Sequence, residues 1–205
     1  MSGLFITFEG IDGSGKTTQL QKLSSWLAGA SIPHLVTKEP GGTVIGREIR
    51  QILLSSSSSN IVPTAELLLY AADRAQHVQQ VLLPELRAGK VVLSDRYTDA
   101  TVAYQGYGRL LPLETIKELN SIATGGLVPN LTLLFDLEVE KAQLRLKRSR
   151  EIDRLESEFY DFHERVRYGY LELARKDSRF VLIAANSSQE EIFEQVLSAV
   201  KPFLF

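Results

Sequence analysis

The chain has 205 residues, 44% of them hydrophobic and 23% charged, and its 23 Lys and Arg against 25 Asp and Glu leave a formal net charge of −2. That size suits one globular domain, 1–205, with a real core, and the balance lacks the basic excess of a nucleic-acid binder, although a local cluster of cations can still hold a small anion. With no cysteine in the chain, disulfides, Cys-based zinc sites and thiol catalysis are excluded. The N-terminal residues lack a cationic leader region, and no apolar stretch approaches the roughly 20 residues of a bilayer span, so a soluble cytoplasmic protein is expected.

The first apolar run, 4–8, has strand length. It leads into Gly10-Ile11-Asp12-Gly13-Ser14-Gly15-Lys16-Thr17 and then a helical pattern over 16–27, with Leu20, Leu23 and Leu27 on one face. This is a complete G-x-x-x-x-G-K-[ST] loop in the strand-to-helix context it requires. Glycines let successive N–H groups turn inward to phosphate oxygens, and the following helix adds its positive N-terminus. Gly10, Asp12, Gly13, Ser14, Gly15, Lys16, Thr17 and Thr18 are therefore expected to bind ATP. Lys16 would sit on the β- and γ-phosphates, and the Thr17 hydroxyl on Mg²⁺. A guanine-reading N-K-x-D segment is missing, because none of the four asparagines begins one.

The next strand-length run, 35–37, opens into Glu39-Pro40-Gly41-Gly42-Thr43 and a helix over 44–54 that carries Arg47 and Arg50. The serine run 55–59 reads as a surface loop. A long helical pattern, 65–87, carries Tyr70-Ala71-Ala72-Asp73-Arg74. Strand 91–93 runs to Asp95-Arg96-Tyr97, followed by Ala103-Tyr104-Gln105-Gly106 and a turn expected over 106–112. Helices are expected at 113–124, 139–147, 155–175 and 189–200, and strands at 131–135 and 180–183. Strands that alternate with helices and are apolar on both faces imply a parallel sheet covered on each side, an open α/β sandwich. Ligands in such sheets bind beyond the carboxyl ends of the strands. The three histidines, His34, His77 and His163, lack partners at ligand spacing and read as structural or surface residues.

The motifs F-E-G-x-D-G-S-G-K-T-T, E-P-G-G-T, D-R-Y…A-Y-Q-G and a later D-R-x-E occur in the order found in thymidylate kinases. The chain resembles that family over nearly its whole length. The resemblance implies a P-loop NTPase fold, a three-layer α/β/α sandwich with a five-stranded parallel sheet. It also implies a homodimer that converts dTMP and ATP to dTDP and ADP with Mg²⁺. Carried over by position, Tyr70 would stack on thymine and Arg74 would donate to a thymine carbonyl, with Thr101 and Gln105 facing the base. Asp12 would accept from the 3′-hydroxyl, directly or through Mg²⁺. Arg96 and Arg50 would grip the acceptor phosphate beside Glu39 and Pro40. Asp95 would serve as a metal or water ligand, and Tyr104 would crowd the sugar 2′ position. Each has a plainer alternative: Tyr70 as core filling, Arg47 and Arg50 as a solvated helix face, and Asp95 with Arg96 as a surface ion pair.

Some thymidylate kinases carry an arginine inside the P-loop, where this chain has Ile11, Asp12, Gly13 and Ser14. The compensating cation is expected from a lid, 145–155, which holds Arg145, Lys147, Arg148, Arg150 and Arg154. Arg148 and Arg150 are the candidates to reach the transferred group, with Arg154 third; the alternative is an exposed basic helix end. The lid lacks a glycine common in relatives, Ala100 replaces a usual serine, and Asn130 and Ala184 depart from the pattern at positions read as the nucleotide end of the sheet. Two other functions fit the P-loop: another nucleoside or nucleoside-monophosphate kinase, and a nucleotide-binding switch without phosphotransfer.

Overall fold

In the computed structural model, the described residues are 3–55, 58, 60–146, 153–156 and 158–205. Five strands, β1 (Leu4–Glu9), β2 (His34–Lys38), β3 (Val91–Asp95), β4 (Leu131–Asp136) and β5 (Phe180–Ala184), form one parallel sheet in the order β2-β3-β1-β4-β5. Parallel neighbours need crossovers, and helices supply them. These are α1 (Lys16–Gly29), α2 (Val44–Leu54), α3 (Pro63–His77), α4 (Leu83–Arg87), α5 (Thr98–Thr101), α6 (Leu113–Thr124), α7 (Val139–Leu146), α8 (Tyr160–Lys176) and α9 (Gln189–Val200).

Alternation along the strands divides the core between the two faces of the sheet. Ile6 and Phe8 of β1 join Leu93 of β3, Leu133 of β4 and the buried stripe Leu20, Leu23 and Leu27 of α1. Phe5 points the other way and packs with Val92, Val78, Leu82 and Tyr97. Local signals set the helix ends. The Thr43 side chain accepts from Gly46 N to start α2, Pro63 occupies the first turn of α3, and Ser188 and Glu191 form a reciprocal capping box on α9.

The expected fold class is the observed one, with local corrections. The helix expected over 65–87 is three pieces, because a π-helical stretch, Val78–Leu82, separates α3 from α4. The turn expected over 106–112 begins later: Val102–Gly108 continues α5 as a π-helical segment that packs tightly on α8. The helix expected from residue 155 starts at Tyr160, and residues 154–156 form a turn, since Asp153 Oδ1 accepts from the backbone of Leu155 and Glu156. Asn130 is not at the nucleotide end. It brackets Phe5 with two hydrogen bonds at the opposite rim, where β1 and β4 begin. Ser56, Ser57 and Ser59 of the serine run, and lid residues Lys147, Arg148 and Arg150, lie outside the described residues. Among the described residues no helix is long and apolar enough to cross a membrane.

Candidate active site

The loop between β1 and α1 has its shape forced on it. Gly10 has φ 133°, and a Cβ there would stand 2.5 Å from the Phe135 carbonyl oxygen. Gly13, at φ 80°, would drive a Cβ onto the Ala142 carbonyl. Only glycine serves at either position. Lys16 folds back so that Nζ donates to the carbonyls of Gly10 and Ile11, each at 2.9 Å. Burial and the neighbouring Arg96 push the Lys16 ammonium down to about 8. Helix α1 begins without a side-chain cap, and Ser14 Oγ is buried with no partner among the described residues. Free helix N–H groups and an orphaned hydroxyl fit a phosphate. Thr17 Oγ1 donates to Asp95 Oδ2 at 2.8 Å, which brings two hard oxygen donors together as Mg²⁺ prefers.

This loop forms one wall of a cleft of about 550 Å³ that extends to Arg145, Ser187 and Gln189 at the β5 end. Arg145 is fixed there by donating to the Ala185 carbonyl at 3.1 Å. Thr18 is exposed on the same wall. Gly10 is not on it: its carbonyl faces Lys16 and Arg96, so it shapes the loop from behind. Asp95, expected on the acceptor side as well, faces only the donor side.

A second, smaller pocket opens from the cleft. Asp12, Glu39, Pro40, Arg50, Tyr70, Arg74, Arg96, Thr101, Tyr104 and Gln105 all line it, together with Asp153 and Leu155 from the end of the segment expected as a lid. Asp12, Glu39, Arg50 and Arg96 border both spaces. Arg50 NH1 donates to the Pro40 carbonyl at 2.9 Å, whereas Arg47 is exposed and lines neither space.

The junction is an ion pair set in hydroxyls. Arg96 NH2 donates to Asp12 Oδ1 at 2.7 Å, and the Tyr104 hydroxyl donates to Asp12 Oδ2 at 2.8 Å. Burial works against both charges, yet Arg96 and Lys16 hold the Asp12 carboxyl well below the usual carboxylate range, and Asp12 holds Arg96 above its ordinary value. Arg96 has a left-handed backbone, φ 73°, which for a non-glycine residue costs on the order of 1–3 kcal/mol. Its amide donation to Phe8 O and the Ser94 hydroxyl bond to its carbonyl keep it there.

Arg74 is 1% exposed and almost fully committed. Nε donates to Glu39 Oε2, NH1 to Thr101 Oγ1 and Asn120 Oδ1, and NH2 to the Tyr97 carbonyl. With five guanidinium N–H groups, one is left for the pocket. His77 completes this support, with Nδ1 on Glu39 Oε1 and Nε2 on Thr37 Oγ1.

Sequence reasoning missed Glu9, Glu66 and Tyr170. Tyr170 donates to Glu9 Oε2 and accepts from Arg96 NH1, so it buttresses the junction from α8. Burial and Asp99 push Glu9 up to about 8. Glu9 lies inside the F-E-G motif, but no local motif marks Glu66 or Tyr170, and Glu9 and Tyr170 stand 161 positions apart. Arg154, the third lid candidate, is turned inward, with Nε on Leu53 O and NH2 on Glu66 Oε2.

A family model described as thymidylate kinase matches residues 8–196. A protein of Carboxydothermus hydrogenoformans named thymidylate kinase is 51% identical over 196 residues, covering 96% of each chain. One of Pelotomaculum thermopropionicum with the same name is 49% identical, covering 100% of this chain and 95% of its own. The crystal structure of thymidylate kinase from Ehrlichia chaffeensis superposes with a TM-score of 0.79 at 30% identity, covering 98% of this chain and 99% of that one.

Proposed function

The chain belongs to the thymidylate kinase family, and from that premise we propose the following reading of its site: it transfers the γ-phosphoryl group of ATP to dTMP, releasing dTDP and ADP. The observation that carries the reading is the meeting, at Asp12 and Arg96, of a phosphate-shaped cleft and a pocket lined by Tyr70, Arg74 and Gln105. An oxygen of the dTMP phosphate attacks the γ-phosphorus as the β–γ bridging bond breaks. The attacking phosphate is already ionised, so positioning and cations supply the catalysis without a general base.

Loop amides and Lys16 hold the donor phosphates, with Thr18 at the edge of the cleft. Thr17 and Asp95 would hold Mg²⁺, which when bound would neutralise charge on the transferred group. Arg96 and Arg50 grip the acceptor phosphate, and Asp12 takes the 3′-hydroxyl. Tyr70 stacks on the base in the pocket that Glu39 and Pro40 also line, while the remaining Arg74 N–H and Gln105 read the base edge. Thr101 acts through Arg74, to which its hydroxyl is bonded. Tyr104 closes the space a 2′-hydroxyl would need. Arg148 and Arg150 remain the lid cations of this reading.

The enzyme works in the cytoplasm as a homodimer, with 1–205 as one kinase domain. What supports the dimer is the exposed apolar side chains Ile45 and Ile52 of α2, Leu68 of α3, and Leu113 and Ile122 of α6, carried on helices that pack side by side. Such a patch on a surface suits a partner.

The test is a panel of dTMP, dUMP, dCMP and thymidine with labelled ATP and Mg²⁺. Formation of dTDP is expected. Its absence overturns the reading, and preferential use of thymidine would favour a nucleoside kinase. Light scattering tests the dimer, which Leu68→Asp should dissociate.

A further inference from the structure

Glu66 sits in the first turn of α3, is 0% exposed, and contributes nothing to the pocket wall. Its carboxylate is surrounded by donors. Oε1 accepts from Gln105 Nε2 at 2.8 Å and Arg109 Nε at 3.2 Å. Oε2 accepts from Arg109 NH2 at 3.2 Å and Arg154 NH2 at 2.6 Å. Burial pushes the Glu66 carboxyl up, but the bonds from Arg109 and Gln105 outweigh it and hold it below its ordinary value.

An ionised carboxylate only accepts, so the Gln105 amide must turn its NH2 half to Glu66. The amide carbonyl is then left over. Gln105 Oε1 has no hydrogen bond among the described residues, and Gln105 lines the acceptor pocket. The same two segments are joined a second time, by Arg74 NH1 donating to Thr101 Oγ1 at 2.8 Å. The two bonds flank Tyr70, which is four residues from Glu66 and four from Arg74 along α3. A base lying on Tyr70 therefore meets one spare guanidinium donor and one fixed amide acceptor.

Thymine offers an O4 acceptor beside an N3–H donor, whereas cytosine offers an N4 donor beside an unprotonated N3. The first pattern is complementary to a donor–acceptor wall, and the second opposes it at both points. We propose that Glu66 is a positioning residue that sets base choice: it locks the Gln105 carbonyl toward the pocket and so rejects cytosine. This inference rests on the acceptor pocket proposed above. Specificity here comes from a group that never touches the substrate, because a free glutamine amide could flip and satisfy either base.

In Glu66→Gln, the residue at 66 can present either end of its own amide, and the lock is released. The ratio of kcat/KM for dTMP over dCMP should fall at least about tenfold, since a site that can no longer leave polar groups unpaired loses its means of rejection. The KM for ATP should stay the same. An unchanged ratio, even with both activities reduced, would overturn the proposal and leave Glu66 as an anchor for Arg154. Arg154→Met removes that anchor but keeps the lock, so its ratio should match wild type; an equal fall would also overturn it.

Should Glu66→Gln fail to fold, ¹⁵N NMR of the wild-type protein without nucleotide decides. The Gln105 side-chain amide should show a hydrogen exchanging at least about tenfold more slowly than in free glutamine, as a buried bond requires. Exchange at the free rate would refute the lock. Failure of the wild type to make dTDP would sink the acceptor-pocket reading instead, and the NMR result would stand apart from it.

Discussion

The donor cleft takes most of one wall from consecutive residues, 12–19, and in the proposed reading uses their main-chain N–H groups. The acceptor pocket gathers side chains from the end of β2, from α2, α3, the end of β3, α5 and the π-helical segment, and Arg74, Arg96 and Gln105 are each held by a partner distant in the chain. A phosphate can be bound by backbone alone because any residue supplies an N–H. A base edge needs particular side chains in particular orientations, so its recognition depends on a second layer of hydrogen bonds. Glu39 and Asn120 hold Arg74, Glu66 holds Gln105, and Tyr170 holds Arg96.

The difference predicts which substitutions separate the two halves. Lys16→Ala removes the charge on the donor side and should lower kcat about 10³-fold, roughly 4 kcal/mol of transition-state stabilisation. Circular dichroism should stay native, and near-normal turnover would mean that the loop amides suffice alone. Tyr70→Ala should raise the KM for dTMP about 10- to 100-fold, the 1–3 kcal/mol of one base–aromatic stack. The KM for ATP should move less than about twofold, and equal rises in both would make Tyr70 packing rather than a platform.

A pH profile of the ATP parameter bears on the donor side, with Glu9, pushed up to about 8, ionising over the same range. Lys16, brought down to about 8, is cationic below that pH and neutral above it in the free enzyme. The value of kcat/KM for ATP should therefore fall about tenfold per pH unit above 8, because this quantity reports the free enzyme. A flat profile to about pH 10 would remove Lys16 as the titrating group. The smallest effect is expected of Tyr104→Phe. It deletes the hydroxyl bonded to Asp12 and Arg96 but keeps the ring, at a cost of about 1 kcal/mol or fivefold in kcat/KM for dTMP. Discrimination against ribonucleotides should persist, since the ring occupies the 2′ space, and its loss would assign that role to the hydroxyl.

The same contrast explains how much could be read from the chain. Strand and helix periods gave the sheet and seven helical segments, since burial on two faces writes itself into spacing. The P-loop and the E-P-G-G-T turn were legible because their backbone conformations demand glycine at fixed offsets. Tyr70, Arg74 and Gln105 could be named only through likeness to a family. Of their supports only Glu39 was named, and the hold of Glu66 on Gln105 was not legible, as the two stand 39 positions apart and nothing local links them. The misplaced start of α8 has a similar cause. Leu155 fits the apolar period, but Arg154 is pinned to Leu53 and Glu66, and Asp153 caps a separate turn first.

The widened coil at Val102–Gly108 makes chain length itself a functional variable. Tyr104 must reach Asp12 and Gln105 must reach Glu66, both from within this one stretch, while Thr101 reaches Arg74 from just before it. Deleting Val102 would tighten the coil toward ordinary helix and swing every later side chain by roughly 100° about its axis. The residues would all still be present and the helix intact, yet the tyrosine and the amide would point at the wrong neighbours. Point changes along this segment are therefore expected to be milder than the loss of a single residue from it.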